Sequence, residues 1–274
     1  MRGPVKDSTR NISYDQEKAK IMNTQHTIYI PSKARANSCT TPHLLMKDGI
    51  TNWLIVIEPQ DFRDYAKEFH PGHIVVLDKN DQGLWYSRQF CKDRSISYGD
   101  EYHWQLDDDI RSFISRSPGM ASSRPLPCEA LREIEEVVEK YSNIGQAGMN
   151  QNSWPPGDNP IKVNRLPVQA FLVNNSVKAK FRTPILNDFD FTLQVLKEGW
   201  CTLLFDHIRT NTPPIGTNAG GLNAVYKKQE VMHAVMKSMC NEFGTMTIDK
   251  DEKGWHLRKN RIWSTFKQQL IEES

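Results

Sequence analysis

Long apolar runs, paired cysteines, a glycine-rich phosphate turn and a dominant charge are all missing from this sequence, and each gap removes a class of function. No apolar stretch reaches the length needed to cross a bilayer, and residues 1–22 form a polar leader of mixed charge without an apolar secretory centre. A cytoplasmic protein with no membrane partner is expected. The five cysteines (Cys39, Cys91, Cys128, Cys201 and Cys240) are odd in number and scattered, which argues against a disulfide framework or a cysteine zinc site. They should be reduced, mostly buried thiols. With 35 basic and 33 acidic side chains, net +2, bulk charge makes no case for a polyanionic partner, so only local patches bear on one. The turn after the first apolar run reads Pro31-Ser32-Lys33-Ala34-Arg35, without the glycines of a dinucleotide fingerprint, which disfavours a nicotinamide or flavin enzyme.

What is present is an alternation of apolar β-prone runs with helical spacing. Thr27-Ile28-Tyr29-Ile30, Trp53-Leu54-Ile55-Val56-Ile57, His73-Ile74-Val75-Val76-Leu77 and Tyr102-His103-Trp104-Gln105-Leu106 predict four strands. Helices are predicted between them over 40–47, 61–69 and 84–97. Such alternation implies right-handed crossovers, and the expected class is α/β, with a Rossmann-like, mostly parallel central sheet flanked by helices. Further on, 129–141 predicts an amphipathic helix, 145–160 a long loop or lid, 168–173 a strand, 190–198 a helix and 200–208 a strand. A helix over 222–243 carries a methionine stripe read as core, and a basic tail with Trp255 and Trp263 precedes a short terminal helix. After the leader, 23–274 reads as a single domain in two halves, 23–115 and 116–274.

The most informative residues are Asp107-Asp108-Asp109, directly after the fourth predicted strand. Consecutive carboxylates repel one another and are tolerated where solvent or a cation neutralises them. A turn or helix cap is the plain explanation. Their place at a strand's carboxyl end, where open α/β sheets bind ligands, favours a hard divalent ion, Mn²⁺ or Mg²⁺, bridging to a diphosphate. Arg35 and Arg88 are candidate cations for that diphosphate. Asn187-Asp188-Phe189-Asp190 offers a carboxylate to deprotonate an acceptor hydroxyl, or a helix cap, the two being compatible. His70 and His73 read as turn residues, and His207 and His256 as outlying candidates from later segments.

Several segments taken in order resemble the TET-associated glycosyltransferase family. They are Ile30-Pro31-Ser32-Lys33-Ala34-Arg35, Thr40-Thr41, Val56-Ile57-Glu58-Pro59-Gln60, Gly83-Leu84-Trp85-Tyr86-Ser87-Arg88, Trp104 to Ile110, Asn187 to Gln194, Gly199-Trp200, and Gly220-Gly221-Leu222-Asn223 with Tyr226. The resemblance implies a GT-A fold, a nucleotide-sugar donor, a UDP-sugar in the leading case, and a divalent metal. For phage members it implies sugar transfer to hydroxymethylated pyrimidines in DNA, which would place the protein in the host cytoplasm. It further implies that Pro31, Ser32, Arg35, Glu58, Arg88, Asp107, Asp108, Gly220 and Gly221 line the nucleotide-sugar site. Asp107 and Asp109 would hold the metal, with His256 as a third candidate ligand, and Asp188 and Asp190 would be the catalytic carboxylates. Gln89 and Asn187 depart from the family's usual asparagine and acidic residue. Lys178, Lys180 and Arg182, with Arg258, Lys259 and Arg261, would supply DNA phosphate contacts, although either cluster taken alone reads as a solvated face. The competing readings are a nucleotidyltransferase on the same scaffold and a non-catalytic DNA- or protein-binding module.

Overall fold

Three apolar runs near the start of the chain become neighbouring parallel strands. The computed structural model describes residues 23–116, 121–153, 157–214, 228–252, 254–259 and 261–273. In chain order the first elements are β1 (Ile28–Pro31), α1 (Thr40–Lys47), β2 (Trp53–Ile57), α2 (Phe62–Glu68), β3 (Ile74–Val76), α3 (Leu84–Ser97) and β4 (Tyr102–Leu106). β1 pairs in parallel with β2 on one side and β4 on the other, and β2 pairs with β3. The chain therefore winds outward from β1 to β3 and then returns to the opposite side of β1. That reversal is a topological switch point, and in open α/β sheets the crevice that receives ligands lies at such a point, here between the carboxyl ends of β1 and β4.

Then follow β5 (Ser112–Ser115), α4 (Pro127–Val138), β6 (Ile144–Gln151), β7 (Ile161–Val163), β8 (Ala170–Asn174), α5 (Asn187–Lys197) and β9 (Cys201–Asn211). The strand order is β3-β2-β1-β4-β8-β6-β9-β5, with β7 paired to β9. This is the expected α/β architecture, a large central sheet flanked by helices and consistent with a GT-A-like fold. The sheet is mixed, not mostly parallel as expected: the parallel pattern fills the first half and recurs at β6–β9, whereas β8 lies antiparallel to both β4 and β6, and β5 and β7 lie antiparallel to β9. No described helix separates β6 from β8, so the chain returns beside β6 in the opposite sense, which antiparallel neighbours allow. α6 (Gln229–Phe243) and a hairpin of β10 (Thr247–Asp251) and β11 (Gly254–Arg258) come last. Met236 and Met239 are core, as the stripe suggested, and all five cysteines are free, four of them buried. The terminal helix is only a 3-10 turn, Ile262–Thr265.

The predicted loop over 145–160 is corrected by β6, an almost wholly buried strand inserted between β8 and β9. Its glycines hid it by diluting the apolar signal, and they are there because nothing larger fits. A Cβ on Gly148 would lie 2.3 Å from the Ala170 carbonyl oxygen, and one on Gly145 would lie 2.6 Å from Val195 Cγ1. Gly148→Ala should therefore overpack the sheet and cost about 1–3 kcal/mol. A lowered urea midpoint with unchanged slope would register this, and a wild-type midpoint would contradict it.

Candidate active site

The acidic turn after β4 is fixed from two sides. The Asp107 amide donates to the Gln169 carbonyl just before β8 (2.7 Å). From the first turn of α1, the Thr41 hydroxyl donates to the Asp107 carbonyl (2.6 Å) and accepts from the Ile110 amide (2.9 Å), while the Thr41 amide donates to the Asp108 carbonyl (3.1 Å). Thr40 Oγ1 adds a bond to the Ile110 carbonyl (3.0 Å). Thr41 is fully buried, so its removal would strand the groups it serves. Thr41→Val keeps the shape but leaves the Ile110 amide and Asp107 carbonyl unpaired, at about 1–3 kcal/mol each. A clear drop in thermal midpoint is expected, and an unchanged midpoint would show that the turn holds itself.

The carboxylates differ in what they touch. Asp108 is buried, with Oδ1 2.8 Å from Arg35 Nη1 and Oδ2 accepting from the Ser32 hydroxyl. Ser32 in turn lies 2.5 Å from the Tyr65 hydroxyl, which also accepts from the Arg35 amide (3.2 Å). Both Asp108 oxygens are thus engaged, so the carboxylate expected to contact the nucleotide sugar instead orients Ser32 and Arg35. Burial opposes the Arg35 charge, but Asp108, Asp109 and Asp107 outweigh that and hold the guanidinium more firmly protonated. Asp109 lies 3.8 Å from Arg35 Nη1. Asp107 Oδ1 is 2.9 Å from Arg88 Nη2. Burial pushes the Asp107 carboxyl up to about 7, with repulsion from Asp109, Asp108 and Asp188 adding to the rise and Arg88 opposing it.

Arg88, expected to approach the diphosphate, is instead a buried tie between the two halves. It donates to Asp107 and, through Nη1, to Asn187 Oδ1 (2.9 Å), and its guanidinium lies 5.0 Å from the Phe171 ring. Asn187 opens α5 and supplies the acceptor that Arg88 needs. Asp188 follows at once, with Oδ1 accepting from the Phe189 amide (2.8 Å), and its charge acts on Asp107. Asp190 does not join them. It is buried in a bidentate pair with Arg182, Nε to Oδ2 at 2.9 Å and Nη2 to Oδ1 at 3.1 Å, with Gln194 donating as well. Two residues along a helix do not share a face, so only one of the pair can meet the crevice. Asp190 is withdrawn as a catalytic group.

The remaining predicted residues divide clearly. Pro31 ends β1 beside Val56, and Glu58, buried at the end of β2, pairs with Lys33 (2.8 Å) and accepts from Gln60 (2.7 Å). His256 is not brought to the aspartates, because it lies on the exposed hairpin with Nε2 2.7 Å from Asp251. It is withdrawn as a metal ligand. His207 bonds Glu133 and Pro160, His73 stacks on Trp53, and His70 accepts from the Gly72 amide, all structural arrangements. Gly220 and Gly221, like the leader, lie outside the described residues.

Sequence reasoning overlooked Lys33, Tyr65 and Gln169. Lys33 was visible within the Pro31–Arg35 turn, but nothing in the sequence marks Gln169, which has φ 63°. Six non-glycine residues among those described have positive φ, and three border this crevice: Ala34, Gln169 and Leu186, the residue before Asn187. Such conformations persist where surrounding contacts over-determine them, and they gather at functional sites.

As to a metal, no three His, Cys, Asp or Glu side chains among the described residues cluster closely enough to hold one alone. The donor chemistry nonetheless suits a hard divalent ion, which commonly takes one or two carboxylates and completes its shell with substrate phosphates and water. Asp107 and Asp109 would be the oxygen donors for such an ion. Burial, with repulsion from Asp109 added to it, disfavours the ionised Asp107 carboxyl, and a cation between the two would favour it.

Comparison with known proteins follows the same lines. A family model described as TET-Associated Glycosyltransferase matches residues 26–221. No curated protein matches the chain significantly. Among solved structures, the inositol-1-phosphate CTP transferase from T. maritima is 14% identical, with 77% of this chain and 96% of that one covered and a TM-score of 0.42. A Desulfovibrio desulfuricans G20 protein assigned as a nucleotide-diphospho-sugar transferase is 10% identical, with 66% and 79% covered and a TM-score of 0.38. At these scores neither likeness bears on the chemistry.

Proposed function

The chain belongs to the TET-associated glycosyltransferase family, and from that premise we propose that it moves a sugar from a UDP-sugar to the hydroxymethyl group of a modified pyrimidine in DNA. The observation that carries this reading is the set of side-chain contacts at the carboxyl ends of β1 and β4. It gathers Ser32, Arg35, Asp107, Asp108 and Asp109 on one wall, and Arg88 ties it to Asn187, the neighbour of Asp188, on the other.

In this reading Asp107 and Asp109 would hold Mn²⁺ or Mg²⁺, and Asp108 fixes Arg35 and Ser32 along the donor side. The bound cation would neutralise charge on the departing nucleoside diphosphate. Arg88 holds Asp107 and Asn187 in register, so that donor and acceptor walls keep one spacing. Asp188 accepts the proton of the acceptor hydroxyl as its oxygen bonds to the anomeric carbon and the bond to the diphosphate breaks. Mass spectrometry of nucleosides from DNA carrying 5-hydroxymethylcytosine or 5-hydroxymethyluracil, incubated with protein, Mn²⁺ and a panel of UDP- and GDP-sugars, tests the activity. A nucleoside heavier by one hexose or pentose is expected. Unaltered nucleosides with every donor would contradict the reading.

A pH dependence follows from Asp107. Its carboxyl titrates near 7 in the folded chain, against about 4 when unfolded, so the native state binds the extra proton between those values. That stabilising contribution is lost as pH rises through about 7, leaving a repulsive carboxylate. A divalent cation binds the ionised form and removes the repulsion. The gain in thermal midpoint on adding Mn²⁺ should therefore be larger at pH 8 than at pH 6, and an equal gain at both would contradict the ligand assignment.

A further inference from the structure

Of the six cations that the sequence offers for DNA phosphates, the structure singles out one. Arg182 is paired with Asp190 and Glu242, and Arg258 with Asp249. Lys178, Lys180 and Arg261 are exposed. Lys259 is half-buried, and its Nζ sits 4.0 Å from the centre of the Phe189 ring, the residue directly after Asp188. Trp263 meets that ring edge-on at 5.5 Å, and buried Ile262 packs with Phe189, Leu193, Met239 and Met246, so the segment carrying Lys259 is fastened to the first turn of α5. Lys259 makes no ion pair among the described residues, although Asp188 is near enough for its charge to oppose the burial that draws the ammonium pKa down.

The Phe189 ring face holds the ammonium in place by cation–π attraction but accepts no hydrogen bond from it comparable to an oxygen's, so the positioned cation keeps its N–H donors for an anion. The donor diphosphate belongs to the aspartate wall. Lys259 lies on the ring of the residue that follows Asp188, and so stands beside the carboxylate proposed to serve the acceptor. Residues 228–273 also lie beyond the family match, which ends at 221, so this cation belongs to a segment outside the matched pattern. We infer that Lys259 binds the DNA backbone phosphate next to the nucleotide whose hydroxymethyl group faces Asp188. This rests on the DNA acceptor named above. Phosphate contacts fix register without reading sequence, which is what a base-directed transferase requires beside its general base.

The test is binding of a labelled oligonucleotide containing 5-hydroxymethylcytosine, single-stranded and duplex, by fluorescence anisotropy over a series of NaCl concentrations without donor. Wild type, Lys259→Met and Lys259→Arg are compared, with thermal midpoints as a check on folding. Lys259→Met should bind about tenfold more weakly. Its plot of log affinity against log salt should be shallower by about one. Lys259→Arg should restore both. An unchanged slope in Lys259→Met, a loss that arginine does not reverse, or a wild type that binds no DNA overturns the assignment. A wild type that binds DNA yet releases nucleotide from no sugar donor would instead sink the transferase reading and leave this assignment standing.

Discussion

Asp109→Ala is expected to reduce sugar transfer by about 10³-fold or more while the thermal midpoint stays near that of the wild type. Asp109 is not a core side chain. It sits at the tip of β4, is partly exposed, and lies 3.8 Å from Arg35, whose firm partner is Asp108 at 2.8 Å. Removing it therefore leaves the Arg35–Asp108 pair and the Thr41 clamp intact, and it relieves repulsion on Asp107. What is lost is a hard oxygen ligand. A cation that stabilises a departing diphosphate contributes several kcal/mol, and each 1.36 kcal/mol is a factor of ten in rate. Initial rates of nucleoside diphosphate release with hydroxymethylated DNA measure the effect. Activity within tenfold of wild type would remove Asp109 from the site.

Asp188→Asn should lower transfer to DNA by about 10²–10⁴-fold and leave nucleotide-sugar binding nearly unchanged. The amide keeps an oxygen to accept from the Phe189 N–H, so the start of α5 and the neighbouring Arg88–Asn187 bond are preserved. Only the capacity to take a proton goes. A fall in donor affinity equal to the fall in rate would mean that Asp188 supports the donor wall and is not the base, and a rate within a few-fold of wild type would show that another group takes the proton.

The first half of the fold could be read from the chain because local preference and global placement agree there. Trp53–Ile57 and Tyr102–Leu106 are strands as predicted, and 40–47 and 84–97 are helices with the predicted bounds. β6 was illegible for the opposite reason. Gly145, Gly148, Gln146 and Asn150 resemble a loop, yet Gln146 is buried and accepts from the Thr192 hydroxyl, and the glycines admit β8 and α5 at close range. That strand is dictated by neighbours distant in sequence, which no local window contains. The site divides similarly. The Asp107–Asp109 turn could be placed because a strand's end and a topological reversal locate it. Which carboxylate does what could not, because it depends on partners such as Ser32, Arg35 and Arg88 that only the fold assembles. Asp188 and Asp190 look equivalent in sequence, yet the helix turns one toward Arg182 and Glu242 and leaves the other beside the crevice. His256 likewise carries no mark of its partner in the sequence, and the hairpin pairs it with Asp251.

The central claim is that carboxylates at the end of β4 anchor a cation that receives the diphosphate of an activated sugar. Calorimetric titration of the wild type and Asp109→Ala with UDP-sugars, with and without Mn²⁺, tests it most directly. Binding that requires Mn²⁺ in the wild type and disappears in the variant is the predicted result. Binding of equal strength without the metal, or retained after loss of Asp109, would contradict it.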